Sequence, residues 1–579
     1  MRLSKTCMVA FLAGAATAAG CSSAFYTKQA DREVYGIIAQ KDVKAFGKVR
    51  EFSIQRPVDL EAMLKDLSER KPAAAAIPPS RMEEPDLLPV PDPKLPPPIP
   101  DPSPDAVCLT VADALRIAVS ANRDYQTARE TAYLTALTLT FERYLFRPHP
   151  FATGTVNFEN NADTGERLKQ WNASADIGAS QQLADGMVIV GSLGLTALKF
   201  INRELGDTVG STLNFSLTQP LWRGAGRQVV QENLTQAERN ALYAVRTLAR
   251  FEQEFAVSVA SQYLRVLQDR DVVLNEWRNY RSLFENRERA EWLAKAERLP
   301  EFQVDQARQD ELRAYNRWIV TRESYANSLD SLKVLLGIPI EREIVLEPKE
   351  LDRLVALGLQ HPDTPLKDAE AESLKQRFDL ANARGGIEDA QRKILVAENG
   401  LAGDVDLVAS IGYASDTSAP QSARLQFRRG DYAVGLAIAL PVDRLRERNA
   451  LRQTQIARDR AGRSLTLLED QIILEVRRAF RRLEQARESY EIQKRAVTLA
   501  ERRVESTQLL LQAGRADQRD VLEAQRALVD TRNALTGALV DHTIANLEFQ
   551  RDIGTLDVSE EGQIHGWKLT ENAGLVRNP

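Results

Sequence analysis

Long apolar runs are missing from this 579-residue chain. Beyond the N-terminus nothing approaches the roughly 20 consecutive apolar residues of a membrane-spanning helix, so a bundle of membrane helices is excluded. The mean hydropathy is −0.34, and any work in a bilayer needs another architecture. Histidine and cysteine are scarce. His149, His361, His542 and His565, with Cys7, Cys21 and Cys108, are spread too widely to build a zinc, haem or iron–sulfur site. No metal or other cofactor is therefore expected. Neither sign of charge dominates: 76 Lys and Arg stand against 81 Asp and Glu, a net charge of −5, which gives no electrostatic case for nucleic acid. No Ser/His/Asp or Cys/His grouping pairs a nucleophile with a base, so no enzyme is expected. Gly224-Ala225-Gly226 lacks the Lys-Ser/Thr of a phosphate loop and reads as loosened chain at a helix start. Of the 25 prolines, 13 lie between Pro72 and Pro104, which leaves the rest of the chain free for long helices.

Residues 1–20 combine Arg2 and Lys5 with a short apolar core from Met8 to Ala19, which is a secretory signal and too short for an anchor. The run Ala18-Ala19-Gly20-Cys21 resembles a bacterial lipobox, although Leu is usual where Ala18 stands. The resemblance implies acylation of Cys21, and Ser22 resembles the following residue of lipoproteins sent to the outer membrane. A single acyl chain holds weakly and would supplement other membrane contacts. Residues 21–71 form an extension of mixed polar sequence with no legible role. Residues 72–107 form a proline-rich linker, expected as an extended polyproline spacer.

The rest is written twice. The first repeat, 108–339, begins with a helix from Leu109 to Leu145, with Thr110 as N-cap and Asp113 in its first turn. Between Phe151 and Gln219, Gly, Thr, Ser and Asn interleave with apolar residues; Leu213, Phe215 and Leu217 alternate with polar neighbours as a strand requires. Pro220 is expected to open a long helix reaching Arg298, striped by Phe251, Phe255, Val259, Tyr263 and Val266. Leu299-Pro300 interrupts it, and a return helix runs from Phe302 to Leu336. The second repeat, 340–558, has the same order. RFDLANAR answers RDYQTAR, strand-like segments recur at Asp406–Tyr413 and Tyr432–Leu440, and Pro441 answers Pro220. A long helix striped by Leu468, Ile472, Val476, Phe480, Leu483 and Tyr490 ends at Ala513-Gly514-Arg515. In the return helices Val304, Ala307 and Asn316 match Val521, Ala524 and Asn533 at a constant offset of 217. A tail, 559–579, follows.

The long helices would each span roughly 110 Å and the returns roughly 50 Å, lengths that suit coiled-coil pairs packed side by side. The fold class is mainly α with β: duplicated long coiled-coil hairpins plus two membrane β-hairpins. Strands of about ten residues with unlike faces suit a transmembrane barrel. One hairpin per repeat gives four strands, which cannot close alone, and an open edge is not tolerated in lipid. A membrane reading therefore entails a homo-oligomer. Phe151–Phe158 and Ala173–Gln182 exceed one hairpin; extra strands, an extracellular loop or a periplasmic ornament all fit.

From about Leu109 to Leu556 the chain resembles the TolC family of outer-membrane efflux proteins. The resemblance rests on LTVADALRIAVSANRDYQTAR, on LNFSLTQPLWRGAGR at the first strand-to-helix junction, and on LLLQAGRADQRDVLEAQRALVDTRNAL near the end. It implies a homotrimer whose twelve pooled strands form one barrel in outer-membrane lipid, continuing into a helical α-barrel tunnel. It also implies a passive exit duct for efflux or type I secretion, served by a periplasmic adaptor and an inner-membrane pump or ABC transporter. Leu299, Pro300, Ala513, Gly514 and Arg515 would then form the periplasmic tips that meet the adaptor. Glu505, and behind it Asp517, would stand at the pore constriction. Pro220, Trp222 and Pro441 would mark the strand–helix junctions at the membrane interface. The alternative is a periplasmic coiled-coil adaptor or scaffold of an envelope transport complex.

Overall fold

The computed structural model describes residues 23–54, 60–68, 96–100, 103, 106–161, 168–200, 208–416, 423–513, 515–567 and 569. The signal segment, Cys7, Cys21, most of the proline cluster and Gly514 lie outside them. Helices α1 (Ser23–Phe46) and α2 (Leu60–Ser68) come first. The first half then runs β1 (Val107–Leu109), α3 (Val111–Ala121), α4 (Arg123–Tyr144), β2 (His149–Asn161), β3 (Leu168–Gln182), β4 (Val188–Phe200), β5 (Thr208–Pro220), a short α5 (Arg227–Val230), α6 (Glu232–Lys295) and α7 (Glu301–Leu336). The second half runs β6 (Ile344–Leu346), α8 (Lys349–Leu357), α9 (Leu366–Gln376), α10 (Phe378–Asn399), β7 (Asp404–Ser415), β8 (Leu425–Ala439), α11 (Leu445–Gln512) and α12 (Gln518–Ile553).

These elements form two compact units. One comprises Arg50–Thr131, Arg246–Ala381 and Leu467–Pro579. Here the two halves meet through their opening strands, β1 and β6, which pair in parallel from Val107↔Ile344 to Leu109↔Leu346. Thr110 caps α3 in a capping box with Asp113. The expected single helix to Leu145 is broken at Asn122, whose extended backbone (φ −67°, ψ 135°) ends α3. Its Oδ1 accepts the Tyr125 N–H at 2.9 Å and so starts α4, while its Nδ2 donates to the Leu335 carbonyl at 2.8 Å. Arg377 makes the same break between α9 and α10. The α6 stripe is buried at Phe255, Val259, Tyr263 and Val266, and the α11 stripe at Ile472, Val476 and Leu483. Polar contacts tie α6 to α12, with Asn275 donating to Asn533 at 2.8 Å and Thr536 to Asp271 at 2.8 Å. The described part of the linker is not free: the indole N–H groups of Trp277 and Trp318 donate to the carbonyls of Pro96 and Pro98 at 2.9 and 3.1 Å.

The other unit comprises Met1–Val49, Ala132–Val245 and Asn382–Thr466 and holds one antiparallel sheet in the order β2-β3-β4-β5-β7-β8. The expectation of two hairpins and four strands is corrected: the first half contributes four strands and the second two. Phe151–Phe158 and Ala173–Gln182 are full strands, paired from His149↔Ser180 to Asn161↔Leu168. Ala152, Gly154, Ala173, Ala175 and Ala179 put small residues among the apolar ones on one face, which weakens the alternation that marks strands. In this unit α1 docks through Lys41, which with Arg143 holds Glu238, and through Asp31, which accepts from Tyr133 Oη at 2.8 Å.

Candidate functional site

Directly paired residues of neighbouring strands share a face, so register decides what each side of the sheet offers. One row reads Ala152↔Ile177↔Leu193↔Leu213↔Tyr413 across β2 to β7. On that side each strand exposes an apolar side chain: Val156, Ile177, Leu195, Phe215, Ile411 and Val434. Val156, Ile177 and Val434 are 62%, 63% and 78% exposed, which water would not favour over six strands in a row. The opposite face reads Thr155↔Ser174↔Thr196↔Gly210, with Thr155 and Ser174 hydroxyls 2.7 Å apart. Phe151 breaks that polar face, its ring lying over Gly178. Strands of 12 to 15 residues exceed the roughly 10 needed to cross a bilayer at a tilt. Tyr413 meets Phe427 and Tyr432, and Phe158 meets Trp171, at the ends remote from the helices, as in an interfacial aromatic girdle. Among the described residues no helix is long and apolar enough to cross a membrane.

The strand–helix junctions differ in detail from expectation. Pro220 is the last residue of β5, facing Asp406, and does not open a helix. The ladder continues past it, since the Leu221 and Arg223 N–H groups donate to the Val405 and Gly403 carbonyls at 2.8 and 3.3 Å. Gly224 and Gly226 then adopt φ of 74° and 93°, a region that side chains disfavour, and turn the chain toward α6. Asn399 holds this turn, accepting the Gly224 N–H at 2.8 Å and donating to the Trp222 carbonyl at 3.1 Å. The Trp222 side chain is exposed. Pro441 follows β8, and α11 starts only at Leu445. Asn399 could not be singled out from sequence because its partners are some 175 positions away.

At the hairpin ends Leu299 and Pro300 lie between α6 and α7, with Pro300 as N-cap of the return helix. α6 closes through Arg298, whose N–H donates to the Leu293 carbonyl at 2.9 Å. α11 closes the same way: the Arg515 N–H donates to the Leu510 carbonyl at 2.8 Å and the Ala513 N–H to Leu509 at 3.0 Å. The offset of 217 sets Glu297 against Gly514, and Glu297 is the one described non-glycine residue with positive φ, 56°. Arg287 with Glu311 clamps the first hairpin; Arg503 with Glu523 at 3.0 Å and Arg532 with Glu501 at 3.0 Å clamp the second. Glu505 is exposed on α11, and Asp517 is the N-cap of α12, its N–H donating to Asp520 at 3.1 Å. Among the described residues no group of His, Cys, Asp and Glu is arranged to hold a metal. The Cys108 thiol is buried beside Glu347 and pushed up to about 12, so it is chemically quiet.

Comparison with known proteins agrees with this geometry. The family described as Outer membrane efflux protein matches residues 371–555. The Outer membrane protein TolC of Vibrio cholerae serotype O1 is 23% identical over 393 residues, covering 66% of this chain and 84% of that protein. Among solved structures, CusC overlays with a TM-score of 0.57 at 15% identity over 77% of this chain and 92% of that one. The open-state MtrE outer-membrane channel of Neisseria gonorrhoeae overlays at 0.54 and 14% identity over 78% and 91%. At such identities these structures establish the fold, which pairs long helices with a sheet, and a periplasmic adaptor has no use for a sheet apolar along one whole face. In sequence and in fold the chain is thus similar to the outer-membrane efflux proteins of the TolC type, and this similarity supports its reading as an exit duct of the outer membrane.

Proposed function

We propose that three copies pool their sheets into one barrel in the outer membrane, with the paired helices continuing as a periplasmic tunnel that ends at the hairpin tips. The observation that carries this is the open sheet whose apolar face is continuous over every strand, because lipid tolerates no open edge. Leu299, Pro300, Ala513, Gly514 and Arg515 meet a periplasmic adaptor, and through it an inner-membrane pump or ABC transporter supplies the energy. Cys21, outside the described residues, carries an acyl anchor. No bond is made or broken in the duct; it holds a water-filled path and selects by charge. Glu505, repeated three times around the axis, forms a carboxylate ring that favours cations. Asp517 adds negative charge nearer the tip.

The docking is tested in cells with photo-reactive residues at Leu299 and Arg515. Adducts with an inner-membrane-anchored adaptor are expected; their absence while the outer-membrane trimer persists would contradict it. For the ring, Glu505→Gln in planar bilayers lowers cation selectivity. Unchanged selectivity and conductance would remove the ring.

A further inference from the structure

We propose that all six strands of each copy enter the barrel wall, so that three copies close an eighteen-stranded barrel through β2 of one copy and β8 of the next. This rests on the trimeric-duct reading and sharpens it, since one hairpin per repeat would pool to twelve. The inserted hairpin, β2 with β3, is built as membrane wall and not as a loop. Its outward rows, Val156↔Ala173 and Ala152↔Ile177, continue without a break into Ala197 and Leu193 of β4. Its inward rows, Thr155↔Ser174 and Thr153↔Asp176, continue into Thr196 and Gly194. A hairpin lying outside the bilayer has no reason to keep an apolar side in phase with the wall.

The two edges are prepared for a second copy of this chain. Residues Ala152–Phe158 of β2 and Asp431–Ala439 of β8 are exposed throughout, whereas the inner strands mix exposed with half-buried positions. Soluble sheets blunt such edges with charge. Here β2 carries only Glu159 among Asp, Glu, Lys and Arg, and β8 carries none of them from Tyr432 to Ala439. Pro150, which lacks an N–H, stands at the start of β2, where an edge strand tolerates it. Six successive antiparallel strands leave β2 and β8 running in opposite directions, so head-to-tail copies meet in antiparallel pairing and the ring closes with no free edge. The hairpin is entered from α4, which ends at Tyr144 shortly before β2 begins at His149. β3 returns to β4 through a tight turn in which the Leu183 N–H donates to the Met187 carbonyl at 2.7 Å, and the Asp185 carbonyl accepts the Gly226 N–H at 3.3 Å. Barrel diameter grows about linearly with strand number, so eighteen strands give a mouth about half as wide again as twelve. The enlarged wall is lined by Thr and Ser hydroxyls.

Paired cysteines test this in outer membranes. Gly154→Cys in β2 is combined in turn with Tyr432→Cys, Val434→Cys and Leu436→Cys in β8; Leu193→Cys in β4 is combined with the same three. The expected result is that at least one β2–β8 pair converts the heated, non-reduced monomer band into dimer and trimer bands, while no β4–β8 pair does. Crosslinking of β4 to β8, or of neither strand within an SDS-resistant trimer, overturns the eighteen-stranded wall and leaves the duct reading standing. Absence of any oligomer overturns both. Single cysteines give a second measurement: Ser174→Cys should react with a membrane-impermeant maleimide and Ala173→Cys should not. Equal labelling of the two places the hairpin outside the bilayer and overturns the proposal.

Discussion

Glu297 holds a left-handed backbone at the turn that ends α6, where the matching position of the second repeat is Gly514. A side chain in that region costs about 1–2 kcal/mol against glycine's freedom, and the closing Arg298 N–H to Leu293 carbonyl bond keeps it there. Glu297→Gly is therefore expected to stabilise the protein by about 1 kcal/mol, read as a higher denaturant midpoint at unchanged slope. A lower midpoint would show that the carboxylate contributes more than the strain costs. His542 is a second residue with a consequence. Burial, then the neighbouring His361 and Arg487, hold it down to about 4, and its Nε2 has no hydrogen-bond partner. Between pH 6.5 and 4 the unfolded chain binds a proton that the folded chain refuses. The stability linked to the neutral ring is thus fully present above 6.5 and lost as pH falls toward 4, at most about 3 kcal/mol. Glu350 opposes this: burial pushes it up to about 7 against the Val111 N–H, so its protonation favours the fold as pH falls from 7 toward 4.5. The test is consequently a difference. His542→Leu should shrink the loss of stability between pH 7 and pH 4.5 relative to the natural chain, and an identical pH profile would dismiss the histidine.

At the scale of elements, the paired helices derive their stability from narrow stripes. Leu483 is fully buried in a cluster with Val476, Ala545 and Phe549 on facing turns of α11 and α12. Leu483→Ala is expected to cost about 2–5 kcal/mol, measured by unfolding of the detergent-solubilised protein. Leu499, on the same helix, is 64% exposed within the chain. Leu499→Ser should leave the fold of each chain intact and weaken assembly; unaltered trimer yield would place that face in water. The stripes were legible because a 3.6-residue period persists over many turns without proline, and Thr110 was legible because its cap is local. The breaks at Asn122 and Arg377 were not, since both lie inside runs with helical periodicity and are fixed by distant partners, Leu335 and Glu475. β2 and β3 could be read as strand or loop because Ala and Gly occupy much of their outward face. Pro220 misled for a related reason: a proline suits a helix start as well as a strand end, and the ladder with β7 decided between them.

At the scale of the whole molecule, six antiparallel strands with one apolar and one polar face form an unfinished object. Neither lipid nor water satisfies both the exposed apolar face and the open edges, whereas a ring of copies in a bilayer does. The repeat and the long helices were readable from the chain alone. The extent of the sheet was not, because strand number follows from pairing and not from local pattern. The most direct measurement of the central claim is electrophoresis of the protein extracted from outer membranes in mild detergent, run in SDS without heating and again after boiling. A band three times the chain's mass that collapses to monomer on boiling is the predicted result. A monomer under both conditions, recovered from the soluble periplasmic fraction, would contradict the account.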